Sequence, residues 1–182
     1  MIIYFIRHGE TEWNKKKIVQ GHRDSPLTIK GLNNAKKLGK FLCDKNIEII
    51  YSSDLGRCIQ TGEIINQWLK VKLFKTKKLR ERNFGKLNGH PNKEVSEKLN
   101  LQDADEKAPD GESFNELKER VISFIKKLFP KKFKKILLVI HDGTARAILS
   151  EYYKVNFNSK KCNTSTNKIY KIKIYGKSFK SI

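Results

Sequence analysis

Two apolar runs constrain this chain more than anything else in it. The first, "MIIYFI" at residues 1–6, runs straight into Arg7 and His8. The second, "KILLVI" at 135–140, runs straight into His141. Uninterrupted apolar runs of this length fit strands covered on both faces, as in a parallel sheet. Such a sheet needs helices above and below, and the rest of the chain supplies them. Thr28 is placed to cap a helix whose Leu32, Ala35, Leu38 and Leu42 keep helical spacing. Asp54 is placed to cap a second, carrying Leu55, Ile59, Ile65 and Trp68. Ser113 and Glu116 form a capping box that opens a third, with Phe114, Leu117, Val121, Phe124, Ile125 and Leu128 on one face. Residues 144–152 read as a fourth, and a short helix falls around 92–99 inside a loop-rich section from about 80 to 112. "IEIIYSS" (47–53) and "VKLF" (71–74) read as further strands, and "KIYKIKIYG" (168–176) alternates like a half-exposed edge strand. Strands alternating with helices predict an α/β three-layer sandwich, with a mostly parallel central sheet and helices on both faces. No repeat and no long linker divides residues 1–182, so one domain is expected.

Composition narrows the function classes. Nothing approaches the ~18 consecutive apolar residues of a membrane span, and the opening run lacks a basic flank for a secretory signal. A cytoplasmic protein is expected. Cys43, Cys58 and Cys162 have no metal-type spacing and read as reduced thiols. The net charge is +20, and lysine supplies 32 of the 39 basic residues. That excess reads as compositional habit more than as a nucleic-acid interface, because no recognition module accompanies it. The field would still draw phosphorylated small molecules inward. Arginine is scarce, at seven positions, and its bidentate fork suits phosphate better than lysine does.

In folds of this kind, ligands gather at the carboxyl ends of the strands. The first strand ends at Arg7 and His8. The second ends at Ser52 and Ser53, ahead of a helix whose first turn holds Arg57. The third apolar run ends at His141. If these strands are neighbours, two histidines and two arginines converge on one sheet edge. The set suits a phosphate dianion: arginine forks and a helix N-terminus hold the oxygens while a neutral imidazole nitrogen attacks phosphorus.

The segments "RHGETEWN" (7–14), "QG" (20–21), "SPLTIKG" (25–31), "SSDLGRCIQT" (52–61), "RERNFGKLNG" (80–89), "PDGESF" (109–114) and "IHDGTARAIL" (140–149) occur in this order. Together they resemble the histidine phosphatase superfamily, branch 1. That branch includes cofactor-dependent phosphoglycerate mutases, fructose-2,6-bisphosphatases and α-ribazole-phosphatase-like enzymes. The resemblance implies that His8 is the nucleophile that becomes phosphohistidine. It implies that Arg7, Arg57 and His141 cradle the phosphoryl group, that Asn14 adds a side-chain hydrogen bond, and that Gln20 or Gly21 closes the pocket. Glu81 is the implied proton donor to the leaving oxygen, and afterwards the base that activates water. No metal and no organic cofactor are implied, and the partner is a small phosphate ester. A histidine beside arginine stays neutral below its usual ~6.5, whereas Glu81 needs its pKa raised from ~4.3 to act as an acid.

One position departs from the family pattern. Where His-Gly-Gly or His-Ala-Gly is usual, this chain has His141-Asp142-Gly143. The Asp142 backbone N–H remains available to phosphate, and its carboxylate is expected to turn away and cap the following helix. Elsewhere, Thr61 reads equally well as a routine helical residue. His22 and His90 read as surface or rim residues, Arg23, Arg80, Arg82 and Arg120 as solvated, and Arg146 as a support for the pocket.

Rival readings make different demands. A metal phosphohydrolase would use the His141-Asp142 pair with His8, Glu10, His22 and Asp24, but such pairs sit within helices and this one ends a strand. A basic nucleic-acid binder would interleave aromatic residues with its basic clusters in a known recognition module, and no such motif appears. A phosphoglycerate mutase usually carries an added covering segment after the acid, whereas only about thirty residues separate Glu81 from Glu112. The compact build favours hydrolysis.

Overall fold

The computed structural model describes residues 1–129 and 132–174. Its centre is a five-stranded sheet in the order β3-β2-β4-β1-β5. The strands are β1 (Ile2–Arg7), β2 (Ile49–Ser53), β3 (Lys72–Thr76), β4 (Lys135–Ile140) and β5 (Tyr170–Lys173). The first four run parallel, and β5 pairs antiparallel along the free side of β1. The expected edge strand thus forms, although its reach beyond residue 174 lies outside the described residues.

Among the described residues six α-helices accompany the sheet: α1 (Glu12–Lys15), α2 (Ile29–Leu42), α3 (Gly56–Leu69), α4 (Asn92–Lys98), α5 (Phe114–Lys126) and α6 (Asp142–Tyr153). The period of two along β1 sorts its side chains. Ile3 and Phe5 join the core beneath α5 and α6, while Tyr4 and Ile6 join the core beneath α2 and α3. In β4, Ile136, Leu138 and Ile140 face the first core and Leu137 and Val139 the second. Both faces are covered, which is why neither run alternates. Truncating a wholly buried side chain such as Phe5 to alanine would cost about 3–5 kcal/mol.

Local signals set several helix starts. The Gly31 N–H donates to the Thr28 hydroxyl at 3.0 Å, capping α2. The reciprocal bonds of Ser113 and Glu116 open α5. The start of α3 differs from expectation. Its N-cap is Leu55, without a side-chain bond, and the Gly56 N–H donates instead to Asp24 at 2.7 Å. Asp54 is drawn away by a bidentate pair with Arg80, both contacts 2.7 Å. A charge-assisted fork outweighs one bond to a backbone amide.

Candidate active site

The register of β1 and β4 sets Arg7 against Ile140, and the His8 N–H donates to the Ile140 carbonyl at 2.9 Å. The two strands therefore release His8 and His141 side by side, with ring centroids 5.2 Å apart. His8 is buried, and its Nδ1 lies 2.8 Å from the Gly9 carbonyl. A carbonyl only accepts, so Nδ1 carries the proton and Nε2 keeps a bare lone pair. The turn is held from below: the Gly9 N–H donates to the Thr61 hydroxyl, which donates to the Arg57 carbonyl one helical turn earlier. Burial, then the Arg57 guanidinium, then that of Arg7 lower the His8 pKa well below the usual histidine value. The same burial, with Arg57 and His8 nearby, lowers that of His141. Both rings are neutral at neutral pH. The Ser53 hydroxyl, at the end of β2, sits 2.9 Å from His141 Nε2 and fixes that ring.

Arg57 rises from the first turn of α3 and is 2% exposed. Its Nη1 donates to the Arg23 carbonyl and to Asp24, and its Nη2 to the Gly21 carbonyl. Asp24 thus does two tasks, capping α3 and holding Arg57. Gly21 sits at φ +49°, and a Cβ there would lie 1.7 Å from Asn88 Oδ1, so glycine is required at that bend. Among the described residues, four buried side-chain polar atoms have no protein partner: Arg7 Nε, Arg57 Nε, Gln20 Oε1 and Ser165 Oγ. Two of the four are guanidinium donors beside His8. Buried donors are costly unless matched, and an oxyanion matches both. Asn14 is exposed, and its Oδ1 is spent on the capping box that starts α1, which leaves Nδ2 for a ligand.

Asp142 does not cap. His141 is the N-cap of α6, without a side-chain bond, and Asp142 occupies the first helical position. Its carboxylate is an ion-pair hub: 3.1 Å from Arg7 Nη1, 3.0 Å from Arg146 Nε, and accepting the Thr164 hydroxyl at 3.0 Å. The pull of two guanidinium groups exceeds that of the helix end, where the acid is still favourably placed. Glu81 faces this hub. Its carboxylate accepts the Arg82 N–H at 2.9 Å and the Gly143 N–H at 3.2 Å. Burial first, then the Asp142 charge, push its pKa above the usual carboxylate range. Arg120 and His22 brace the Glu81 main chain, the latter by an Nε2–H bond of 2.9 Å to the Glu81 carbonyl.

Several residues are therefore more engaged than their sequence context conveys. Arg80 pairs with Asp54, and Arg120 with Glu112. Arg82 is buried, bonded to the Glu112 and Glu106 carbonyls. Of the arginines expected to be solvated, Arg23 is exposed. His90 pairs with Glu94 on α4 and is partly exposed. Beyond Glu81 opens a cavity of about 470 Å³. Phe84, Leu101, Phe114 and Phe157 supply its apolar wall, and Gln102, Asn158 and Asn163 its amides. Glu81, Arg82, Asp142 and Arg146 are its charged groups. No cluster of three or more histidine, cysteine, aspartate or glutamate side chains able to hold a metal occurs among the described residues.

A sequence profile of the histidine phosphatase superfamily (branch 1) matches residues 3–181. The chain belongs to this family. It is 32% identical over 152 residues to an uncharacterized phosphatase, PhoE, of Bacillus subtilis, covering 82% of this chain and 76% of that protein. It is 40% identical over 126 residues to a probable phosphoglycerate mutase, GpmB, of Salmonella arizonae, covering 65% of this chain and 59% of that protein. Its fold superimposes on that of YhfR from Bacillus stearothermophilus with a TM-score of 0.84 and 25% identity, covering 97% of this chain and 93% of the other. No helix among the described residues is long and apolar enough to cross a membrane.

Proposed function

We propose that the chain is a single-domain cytoplasmic phosphomonoesterase that hydrolyses small phosphate esters through a phosphohistidine. One observation carries the reading. The bare Nε2 of His8 is held in a buried site beside two guanidinium groups whose Nε–H donors have no protein partner.

In the first step His8 Nε2 attacks phosphorus in line, and the bond from phosphorus to the ester oxygen breaks. The departing oxygen takes the proton of Glu81, which its surroundings keep protonated to higher pH than an ordinary carboxylate. Arg7, Arg57 and neutral His141 stabilise the charge that spreads over the phosphoryl oxygens. Asn14 Nδ2, the Asp142 N–H and the loop of Gln20 and Gly21 complete the cradle. In the second step the Glu81 carboxylate takes a proton from water, the water oxygen attacks phosphorus, and the bond to Nε2 breaks. Inorganic phosphate leaves, with Glu81 protonated again. The free thiols of Cys43, Cys58 and Cys162 accord with a reducing compartment.

A phosphate-release screen over small phosphomonoesters, run beside a 3-phosphoglycerate isomerisation assay, tests the reading. Wild-type protein releases phosphate and, in acid-free quench with labelled substrate, carries an acid-labile phosphoryl group. His8→Ala does neither. The kinship with GpmB favours mutase activity as the second reading, and isomerisation faster than phosphate release would select it.

A further inference from the structure

We infer that Asp142 is a specificity-determining residue that turns the leaving-group cavity against acidic substrates, so that the enzyme takes phosphomonoesters of uncharged alcohols with a flat apolar group. The inference rests on the phosphomonoesterase reading and deepens it.

The cavity beyond Glu81 is where an ester's alcohol portion must lie, because Glu81 protonates the oxygen that joins the two parts. A substrate carboxylate there needs a free cation, preferably an arginine fork. Two arginines reach the cavity, and both are committed. Arg146 holds Asp142 through Nε at 3.0 Å and the Phe157 carbonyl through Nη1 at 3.3 Å. Arg82 is buried and bonded to the Glu112 and Glu106 carbonyls, with its guanidinium 5.1 Å over the Phe84 ring. Asp142 thus takes the Nε side of the Arg146 fork, which a substrate acid would otherwise engage. Its own side chain stays 35% exposed, so its charge reaches an incoming anion. Arg7 compensates part of that charge, but Arg7 also serves the phosphoryl group.

The rest of the wall suits a neutral ring. Phe114 and Phe157 stack with centroids 4.0 Å apart, and Phe84 and Leu101 add apolar surface. Gln102, Asn158 and Asn163 offer amide donors and acceptors that tolerate either polarity at a ring edge. An uncharged aromatic alcohol buries apolar area here without breaking an ion pair. A phosphorylated hydroxy acid must displace Asp142 or remain unpaired beside it.

The test compares benzyl phosphate with 3-phosphoglycerate, scoring phosphate release for both and isomerisation for the latter. Both are esters of alcohols that need the Glu81 proton to leave, and both share the phosphoryl cradle, so effects of Asp142 on Arg7 and on the Glu81 proton fall on both esters. The ratio of their kcat/KM values isolates the cavity. Wild-type protein is expected to favour benzyl phosphate by about tenfold or more, and Asp142→Ala to narrow that ratio by about tenfold, through a lower KM for the acid. Gln102→Lys changes an exposed rim residue and adds a cation without touching the hub; it is expected to narrow the ratio in the same direction. A wild-type preference for 3-phosphoglycerate, or a ratio unmoved by both substitutions, overturns the inference. His8-dependent release from p-nitrophenyl phosphate, with neither alkyl ester turned over, overturns it while leaving the phosphatase reading intact. Absence of His8-dependent release from every ester removes that reading and the inference together.

Discussion

His8, Arg57 and His141 stand at the ends of strands or in the first turn of a helix, each buried and each tied to main chain or to a neighbouring side chain. Glu81 stands in the stretch between β3 and α5, which contributes no strand to the sheet, and is braced by Arg120, His22 and the amide of Gly143. On the proposed function, the first region grips the part common to every phosphomonoester and the second meets the part that differs between them. The sheet edge then sets the reaction, and a wall built by the β3–α5 stretch together with residues of α5 and α6 sets the substrate. Substitutions in the first region should lower turnover of all esters alike. Substitutions in the second should depend on the leaving group.

The largest loss is expected from His8→Ala, on the order of 10⁴-fold or more for any ester, because no covalent intermediate can form. Steady-state phosphate release checks it, with a folded-state measurement such as circular dichroism beside it. Residual turnover within tenfold of wild type would place the nucleophile elsewhere. Next stands Arg57→Ala, expected to cost about 100–1000-fold in kcat, by analogy with losing one preorganised oxyanion donor. Its loss also frees Asp24 and the Gly21 carbonyl, so a lowered melting temperature should accompany it. The loss should be equal for p-nitrophenyl phosphate and benzyl phosphate; a large inequality would break the division between the two regions.

Glu81→Gln should show that inequality. With benzyl phosphate, whose alkoxide needs a proton, a loss of about 100-fold is expected, and with p-nitrophenyl phosphate, whose phenolate leaves unaided, much less in the first step. The pH profile sharpens the point. The Glu81 pKa is raised, so its acid form persists to higher pH than usual, and kcat/KM falls as pH climbs through that value. The His8 pKa is lowered, so its neutral form persists to lower pH than usual. Activity on benzyl phosphate is thus broad on the acid side, limited there also by the substrate's own second pKa near ~6. The basic limb belongs to Glu81 and should vanish in Glu81→Gln. A basic limb that survives the substitution would assign the proton to another group.

The two regions also differ in how far they could be read from sequence. Arg7, His8 and His141 follow apolar runs, and the runs fix where strands end. Thr28 and Ser113 lie within three residues of the amides they cap, so a local pattern carries them. The loop side has no such period. Arg80, Arg82 and Arg120 look like solvated charges because their partners are Asp54, remote carbonyls and Glu112, eight to forty-three positions away. Asp24 reads from sequence only as a ligand in the rival metal site, for the same reason: it serves Gly56 and Arg57 from across the fold. The one hint was an acid just before "SPLT" in a chain poor in acids. Asp142 was visible as an anomaly, but its direction depended on Arg7 and Thr164, at opposite ends of the chain.

The smallest effect expected is also the most local. A Cβ added at Gly143 would lie 2.4 Å from Glu81 Oε1 and 3.1 Å from Leu117 Cδ2, so Gly143→Ala must push the carboxyl aside. Gly143 lies in the first turn of α6 without a positive φ, so alanine brings no backbone strain and favours the helix by roughly 0.5–1 kcal/mol. Stability and activity should therefore part company. The melting temperature should hold or rise slightly, while kcat/KM for benzyl phosphate falls by about tenfold as the acid loses alignment. For p-nitrophenyl phosphate kcat/KM, which reports the first step and not the Glu81-assisted hydrolysis that follows, should barely change, since His8 and its cradle are untouched. Equal losses on both esters would mean that the α6 N-terminus acts on the phosphoryl group itself, and the boundary between the two regions would then pass through Gly143 rather than beside it.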